Sequence, residues 1–171
     1  LHQGTNLTGH RVYAPYSHFQ KLLTIRNLPP DEELLDVLEF FTDNSDPQLF
    51  MDRHALRRSE FRKLAQPLIR SGHLVQDYRG GFRTVHPTII TDHWQFKQDY
   101  LIELIKEIPV ITMKQCEKMA GKPYKPEEIM TVLQYLVDEG ELIKGFLLED
   151  LNQVCWGRKE MLESSTGVPM M

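Results

Sequence analysis

The sequence predicts an α+β fold, mostly helical, in which two consecutive units each run from helices into a β-hairpin. Three observations carry this reading. Apolar residues recur at helical spacing in five stretches, Gly or Pro punctuates their ends, and a pair of short β-prone runs follows the last helix of each half. With 171 residues, 41% hydrophobic and 26% charged, the chain is long enough for one large domain or two small ones, and its composition is that of a globular protein.

The second half has the clearer pattern. Leu101, Ile102, Leu104, Ile105 and Ile108 form a helical stripe that Pro109 ends, and Val110 to Met113 is a short β-prone run. Lys114 to Gly121 reads as a short helix with Cys116, Met119 and Ala120 inward. Pro126 then opens a third helix, with Glu127 and Glu128 in its first turn, where the helix dipole favours acids. Gly140 closes it. Leu142 to Leu148 and Gln153 to Trp156 read as two strands joined by Glu149 to Asn152. The order helix, strand, helix, turn, helix, strand, strand is that of a winged helix-turn-helix.

In the first half, Pro30 and Asp31 open a helix with Leu34, Leu35, Val37, Leu38 and Phe41 on one face. After the turn at Asn44 to Pro47, Gln48 to Met51 reads as a short strand. Asp52 to Ser71 is helical, with Phe61, Leu64, Ala65, Leu68 and Ile69 inward, and Pro67 is expected to break it near Ala65 or Gln66. Gly72 stops it. Leu74 to Tyr78 and Phe82 to Val85 then form a hairpin turning at Gly80 and Gly81, which places Arg79 opposite Phe82 and Tyr78 opposite Arg83. This is a second, shortened winged unit. Residues 1–27 are expected to be an N-terminal extension or the remnant of a preceding domain, 28–87 the first and basic unit, 94–162 the second and acidic unit, and 163–171 a flexible tail. The opening at Leu1, without a leader pattern, reads as an excised piece of a longer chain.

Charge separates the two units. The net charge is −4, yet Asp31 to Asp52 holds eight acids and no Lys or Arg, and Arg53 to Arg83 holds eight bases and two acids. Seven of those eight bases are arginine, whose planar fork suits phosphate. At about 100° per residue, Ser59, Lys63, Gln66 and Arg70 line the outward face of the first unit's last helix, flanked by Arg62. The corresponding helix of the second unit presents Glu127, Glu128, Thr131, Gln134, Tyr135 and Asp138 opposite an inward cluster of Ile129, Met130, Val132, Leu133, Leu136 and Val137. Carboxylates there oppose the electrostatic term that drives nucleic-acid binding, so this unit reads as a packing or protein-docking module.

The expected nucleic-acid-binding residues therefore all lie in the first unit: Arg57, Arg58, Arg62, Lys63, Gln66 and Arg70 on the helix, and Tyr78, Arg79, Phe82 and Arg83 on the hairpin. The arginines would hold phosphates, and the two rings would meet sugar or base. The rival reading is a protein-protein docking module within a larger assembly or transcription regulator, its basic strip facing an acidic protein partner.

Nothing in the sequence points to catalysis. The seven histidines are irregularly spaced, and His86 with Asp92 and His93 is too little for a metal site. Cys116 and Cys155 read as core residues in a reducing, cytoplasmic setting, and Trp156 as a plug between strand and helix. No cofactor and no membrane contact is expected, since no apolar run approaches the roughly 18 residues of a membrane span.

The string LVDEGELIKGFLLEDLNQVCWGRKEML, Leu136 to Leu162, resembles the accessory winged helices that follow the motor domains of large helicase-related proteins of superfamily 2. There a helix ends in an acidic-Gly step, a basic strand follows, and a hairpin returns into a Trp. LIRSGHLVQDYRGGFRTV, Leu68 to Val85, looks like the same architecture with a more basic wing. Crosslink-repair glycosylases built of winged helices and transcription regulators share these general features. The resemblance implies an auxiliary part of an ATP-driven helicase that grips or guides a nucleic-acid strand. The chain has no Walker-type Gly-rich Lys loop, so motor activity would belong to the remainder of the parent protein.

Overall fold

The computed structural model of the chain describes residues 1–145 and 153–160. Among these, seven α-helices and two small antiparallel sheets make an α+β fold, with helix accounting for about half of the chain. The molecule divides between Ile90 and Thr91 into two compact units.

The first unit opens with the hairpin β1 (His2–Thr5) and β2 (Arg11–Ala14), followed by α1 (Tyr16–Arg26). The β1–β2 turn is tied by Asn6, whose Oδ1 accepts from the backbone N–H groups of Thr8 and His10. A 3-10 turn at Glu32–Leu34, capped by Asp31, leads into α2 (Leu35–Asp43). Then come α3 (Pro47–Arg53), α4 (Arg58–Arg70), β3 (Leu74–Asp77) and β4 (Phe82–Thr84). The strands join in the order β2-β1-β3-β4, with Gly4 opposite Val12, Gln3 opposite Gln76 and Val75 opposite Arg83. Residues 1–27 therefore supply half of this unit's sheet, and Phe19, Leu22, Leu23 and Ile25 of α1 are buried.

Three local expectations are corrected. Gln48 to Met51 is helical, because Asp46 accepts from the Gln48 N–H and Pro47 occupies the first helical position, a start signal stronger than the β-prone run. Pro67 does not split α4. Pro67 and Lys63 both lie on the exposed side, so the carbonyl that the proline leaves without its helical partner falls on the solvent-facing side of the helix. Leu35, expected inward, is 47% exposed because the 3-10 turn rotates the start of the stripe.

A cluster of aromatic rings binds the elements of this unit. Phe41 of α2, Phe50 of α3, Phe61 of α4 and Phe82 of β4 meet with centroids 5.5 to 6.0 Å apart. All four are buried, and burying each contributes roughly 1.5–3 kcal/mol. Thr84 Oγ1 adds a buried hydrogen bond to the Leu38 carbonyl of α2, at 2.6 Å.

The second unit comprises α5 (His93–Lys106), β5 (Val110–Thr112), α6 (Met113–Ala120), α7 (Pro126–Asp138), β6 (Leu142–Gly145) and β7 (Cys155–Arg158), with strand order β5-β7-β6. The expected continuation of the strand through Phe146 to Leu148, the turn at Glu149 to Asn152, the end of the unit at Leu162 and the tail at 163–171 lie outside the described residues. Thr112 caps α6 by accepting from the Gln115 N–H. Cys116, Cys155 and Trp156 are buried, and burial pushes the Cys116 thiol up to about 12, so it packs as a small apolar group. Met130, expected inward, is 38% exposed at the edge of the α7 stripe.

The two units share a device. Helices α4 and α7 both end in a Schellman motif, with Gly72 at φ 86° and Gly140 at φ 78°. The N–H of His73 reaches the Leu68 carbonyl, and that of Glu141 reaches the Leu136 carbonyl. In each case a strand begins two residues after the glycine. Among the described residues, no helix is long and apolar enough to cross a membrane.

His73, 5% exposed, follows the first of these turns. Its Nε2 donates to the Leu28 carbonyl at 3.1 Å and its Nδ1 lies 2.6 Å from Ser71 Oγ. Burial holds its pKa below 6.5; the Leu28 hydrogen bond partly opposes this and Arg26 adds to it. The folded state then binds fewer protons than the unfolded state below pH 6.5, so stability falls as pH drops through that value. The thermal midpoint should decline from about pH 7 to about pH 5, and a His73→Asn variant should decline less. Equal slopes for the two proteins would show that His73 does not titrate in this way.

Candidate functional site

The first unit's basic residues are distributed by two elements, α4 and the β3–β4 hairpin. Asp77 builds the hairpin tip: one carboxylate oxygen accepts from the backbone N–H of Arg79 and of Gly81, each at 2.8 Å. The backbone of Asp77 pairs with Gly81, leaving Tyr78, Arg79 and Gly80 as a three-residue loop with Gly80 at φ 86°. The register is therefore shifted from the expected one: Phe82 faces Gln76, and Arg83 faces Val75. The cause is the Asx turn at Asp77, which closes a three-residue loop between Asp77 and Gly81 and moves the partner of Phe82 by three positions, from Arg79 to Gln76.

Gly81 is required by close approach. A Cβ there would stand 2.7 Å from Asp77 Oδ2 and 3.0 Å from the Ser45 carbonyl. That carbonyl accepts the Phe82 N–H at 2.8 Å, so the segment between α2 and α3 is stitched to β4.

Between α4, the start of α3 and this hairpin lies a cavity of about 760 Å³. Its floor is apolar, formed by the buried Met51, Phe61, Ala65 and Phe82. Arg58, Arg62 and Arg79 stand exposed at its edge, and Gln66 and Gln76 contribute amides to its walls. Arg58, Arg62, Ala65 and Ile69 reach it together because they recur every three or four residues along one face of α4. Asp46 and Asp77 also line it, but Oδ1 of each is occupied by backbone N–H groups. Among the described residues, neither Arg58 nor Arg62 is held in an ion pair.

Of the ten residues singled out in the sequence, Arg58, Arg62, Gln66, Arg79 and Phe82 line this cavity, with Phe82 only 9% exposed and bound into the aromatic core. The other five do not. Arg57 caps the start of α4, its Nε 3.5 Å from Glu60 Oε1. Lys63 and Arg70 project from another side of α4, displaced by about 100° from the cavity face. Tyr78 stands at the tip, 81% exposed, and its hydroxyl accepts from Arg79 Nε at 2.9 Å. Arg83 lies on the opposite face of the hairpin, 3.5 Å over the ring of Tyr16. Burial, with the charge of Arg83 second, holds the nearby His2 imidazole below its usual pKa.

Sequence reasoning missed Ser45, Asp46, Gln48, Met51, Gln76 and Asp77 in the lining. The Asp46-Pro47 pair was the available signal, since it marks a helix start rather than a loop before a strand.

The second unit's α7 presents a weaker acidic face than its sequence implies. Glu128 turns toward Lys97, which is 7% exposed and donates to both carboxylate oxygens at 3.1 and 3.2 Å. Lys97 also donates to the Pro123 carbonyl, and the Tyr124 hydroxyl donates to the Lys97 carbonyl at 2.7 Å. Glu127, Thr131, Gln134, Tyr135 and Asp138 remain exposed. Among the described residues, no group of three His, Cys, Asp or Glu side chains is placed to hold a metal ion.

Comparison with protein-family models, with curated proteins and with solved structures returns no match.

Gly81→Ala should destabilise the first unit by roughly 1–3 kcal/mol, the scale of overpacking against fixed backbone. Denaturant unfolding together with amide exchange at Arg79 checks this. Unchanged stability and unchanged protection would show that the hairpin does not close on Asp77 and Ser45 as described.

Proposed function

We propose that the chain is a nucleic-acid-binding accessory region built of two winged helix-turn-helix units, belonging to an ATP-dependent helicase-like protein, and that its first unit holds a DNA or RNA strand mainly through phosphate contacts. The carrying observation is the convergence of Arg58, Arg62 and Arg79 on one groove between a helix and a hairpin, with neither helix arginine neutralised by a described ion pair. The parallel order of elements in the two units supports the winged-helix reading. In the second unit β5 pairs with β7, and in the first the single Phe82 to Ser45 hydrogen bond stands at the corresponding place.

The second unit serves this reading as a packing or docking module. Its α7 carries exposed carboxylates at Glu127 and Asp138 beside the exposed Met130 and Tyr135, a surface suited to a protein partner or to the parent chain. Two buried free thiols suit a cytoplasmic setting.

Three to five neutralised phosphates make the logarithm of affinity fall by about 2 to 4.5 per decade of salt. Titration of fluorescent oligonucleotides should show that slope, and Arg58→Glu/Arg62→Glu should weaken binding at least tenfold. Arg83→Glu, on the other face of the hairpin, should change it less than twofold. Absence of binding below tens of micromolar at low salt overturns the nucleic-acid reading in favour of protein docking.

A further inference from the structure

We infer that the groove of the first unit receives unpaired bases of a single strand, rather than the stacked edge of a duplex. This rests on the phosphate-binding reading above and goes beyond it by naming the ligand's class.

The polarity of the cavity runs from mouth to floor in the sense of a nucleotide. The arginines at its edge are exposed and carry charge, whereas Met51, Phe61, Ala65 and Phe82 at its floor are all under 10% exposed and apolar. A phosphate drawn into the cavity would lose its hydration against that floor and would pass the Asp46 and Asp77 carboxylates on the walls. A base has the opposite requirements: its faces are apolar, and its edges carry donors and acceptors. The amides of Gln66 and Gln76 and the two carboxylates lie on the walls, where such edges fall. Phosphates on either side of an inserted base then reach Arg58 and Arg62 from one side and Arg79 from the other.

Size agrees with this occupant, because about 760 Å³ lies within the roughly 300–1,000 Å³ of small-molecule sites. In a duplex the base faces are stacked and the Watson–Crick edges paired, so an apolar floor recessed behind a cationic edge has nothing to contact. Extruding a base from a duplex costs its stacking and pairing, a cost that an unpaired strand escapes. Tyr78, 81% exposed beside Arg79 at the hairpin tip, offers a flat ring to a neighbouring base once the strand is unpaired.

The test uses the whole chain and four fluorescent ligands of matched charge: a single strand, the same strand with abasic sites at its centre, a blunt duplex of half the length, which carries the same number of phosphates, and poly-glutamate. The expected result is at least tenfold tighter binding of the intact single strand than of either the duplex or the abasic strand. In Gln66→Ala that preference should shrink while the salt slope for the duplex, which counts phosphate contacts, stays constant. Equal affinity for abasic and intact strands, or tighter binding of the duplex, overturns base insertion and leaves the phosphate-binding reading standing. Tightest binding of poly-glutamate, or no binding of any nucleic acid, overturns both.

Discussion

The contact among Phe41, Phe50, Phe61 and Phe82 is the constraint on which the rest of the first unit depends. Each ring comes from a different element, so their meeting fixes α2, α3, α4 and β4 at once. Close packing at interior density leaves little freedom for these elements to shift. The cavity is a consequence: it opens where α4 and the hairpin diverge beyond the cluster, and Phe61 and Phe82 form both the edge of the core and the floor of the groove. The same rings that stabilise the unit thus set the spacing between Arg58, Arg62 and Arg79.

The two units leave their last helix in the same way and carry different surfaces. A Schellman turn after that helix and a strand two residues later recur at Gly72 and Gly140. Around that turn the charges differ. On α4 the cations remain exposed, and the acids near them are consumed by backbone capping, as at Asp46 and Asp77. On α7 the partly exposed Glu128 carboxylate is turned into a pair with the buried Lys97. Pairing and hydrogen bonding offset the desolvation that so buried an ammonium would otherwise suffer.

Much of the fold was legible because it is written in local signals. The cap at Asp31, the helix stops ahead of Pro109, Gly121 and Gly140, the amphipathic stripes, and the β-prone runs after each last helix follow from rules that need only neighbours in sequence. The failures arose where one local signal competed with another. Asp46-Pro47 capped a helix in a stretch whose residues also suit a strand. Asp77 closed the hairpin loop before the glycine pair could. Residues 1–27 showed no clean period, since their strands are too short to display alternation, and their role emerged only from pairing with β3.

By itself the sequence determined the α+β class, the order of elements in the second unit, the concentration of arginine in one segment, and the inward positions of Cys116, Cys155 and Trp156. Only the tertiary structure decided which cations share a surface. Arg58, Arg62 and Arg79 come together while Arg83, a neighbour of Phe82, is turned away onto Tyr16. The reason is geometric: successive strand residues point to opposite faces, so Arg83 is turned away from the side on which Phe82 meets the core, while Arg79 sits in the loop that the Asp77 carboxylate closes. Helical periodicity places side chains on faces, but which face becomes the wall of a groove depends on contacts between residues far apart in the chain.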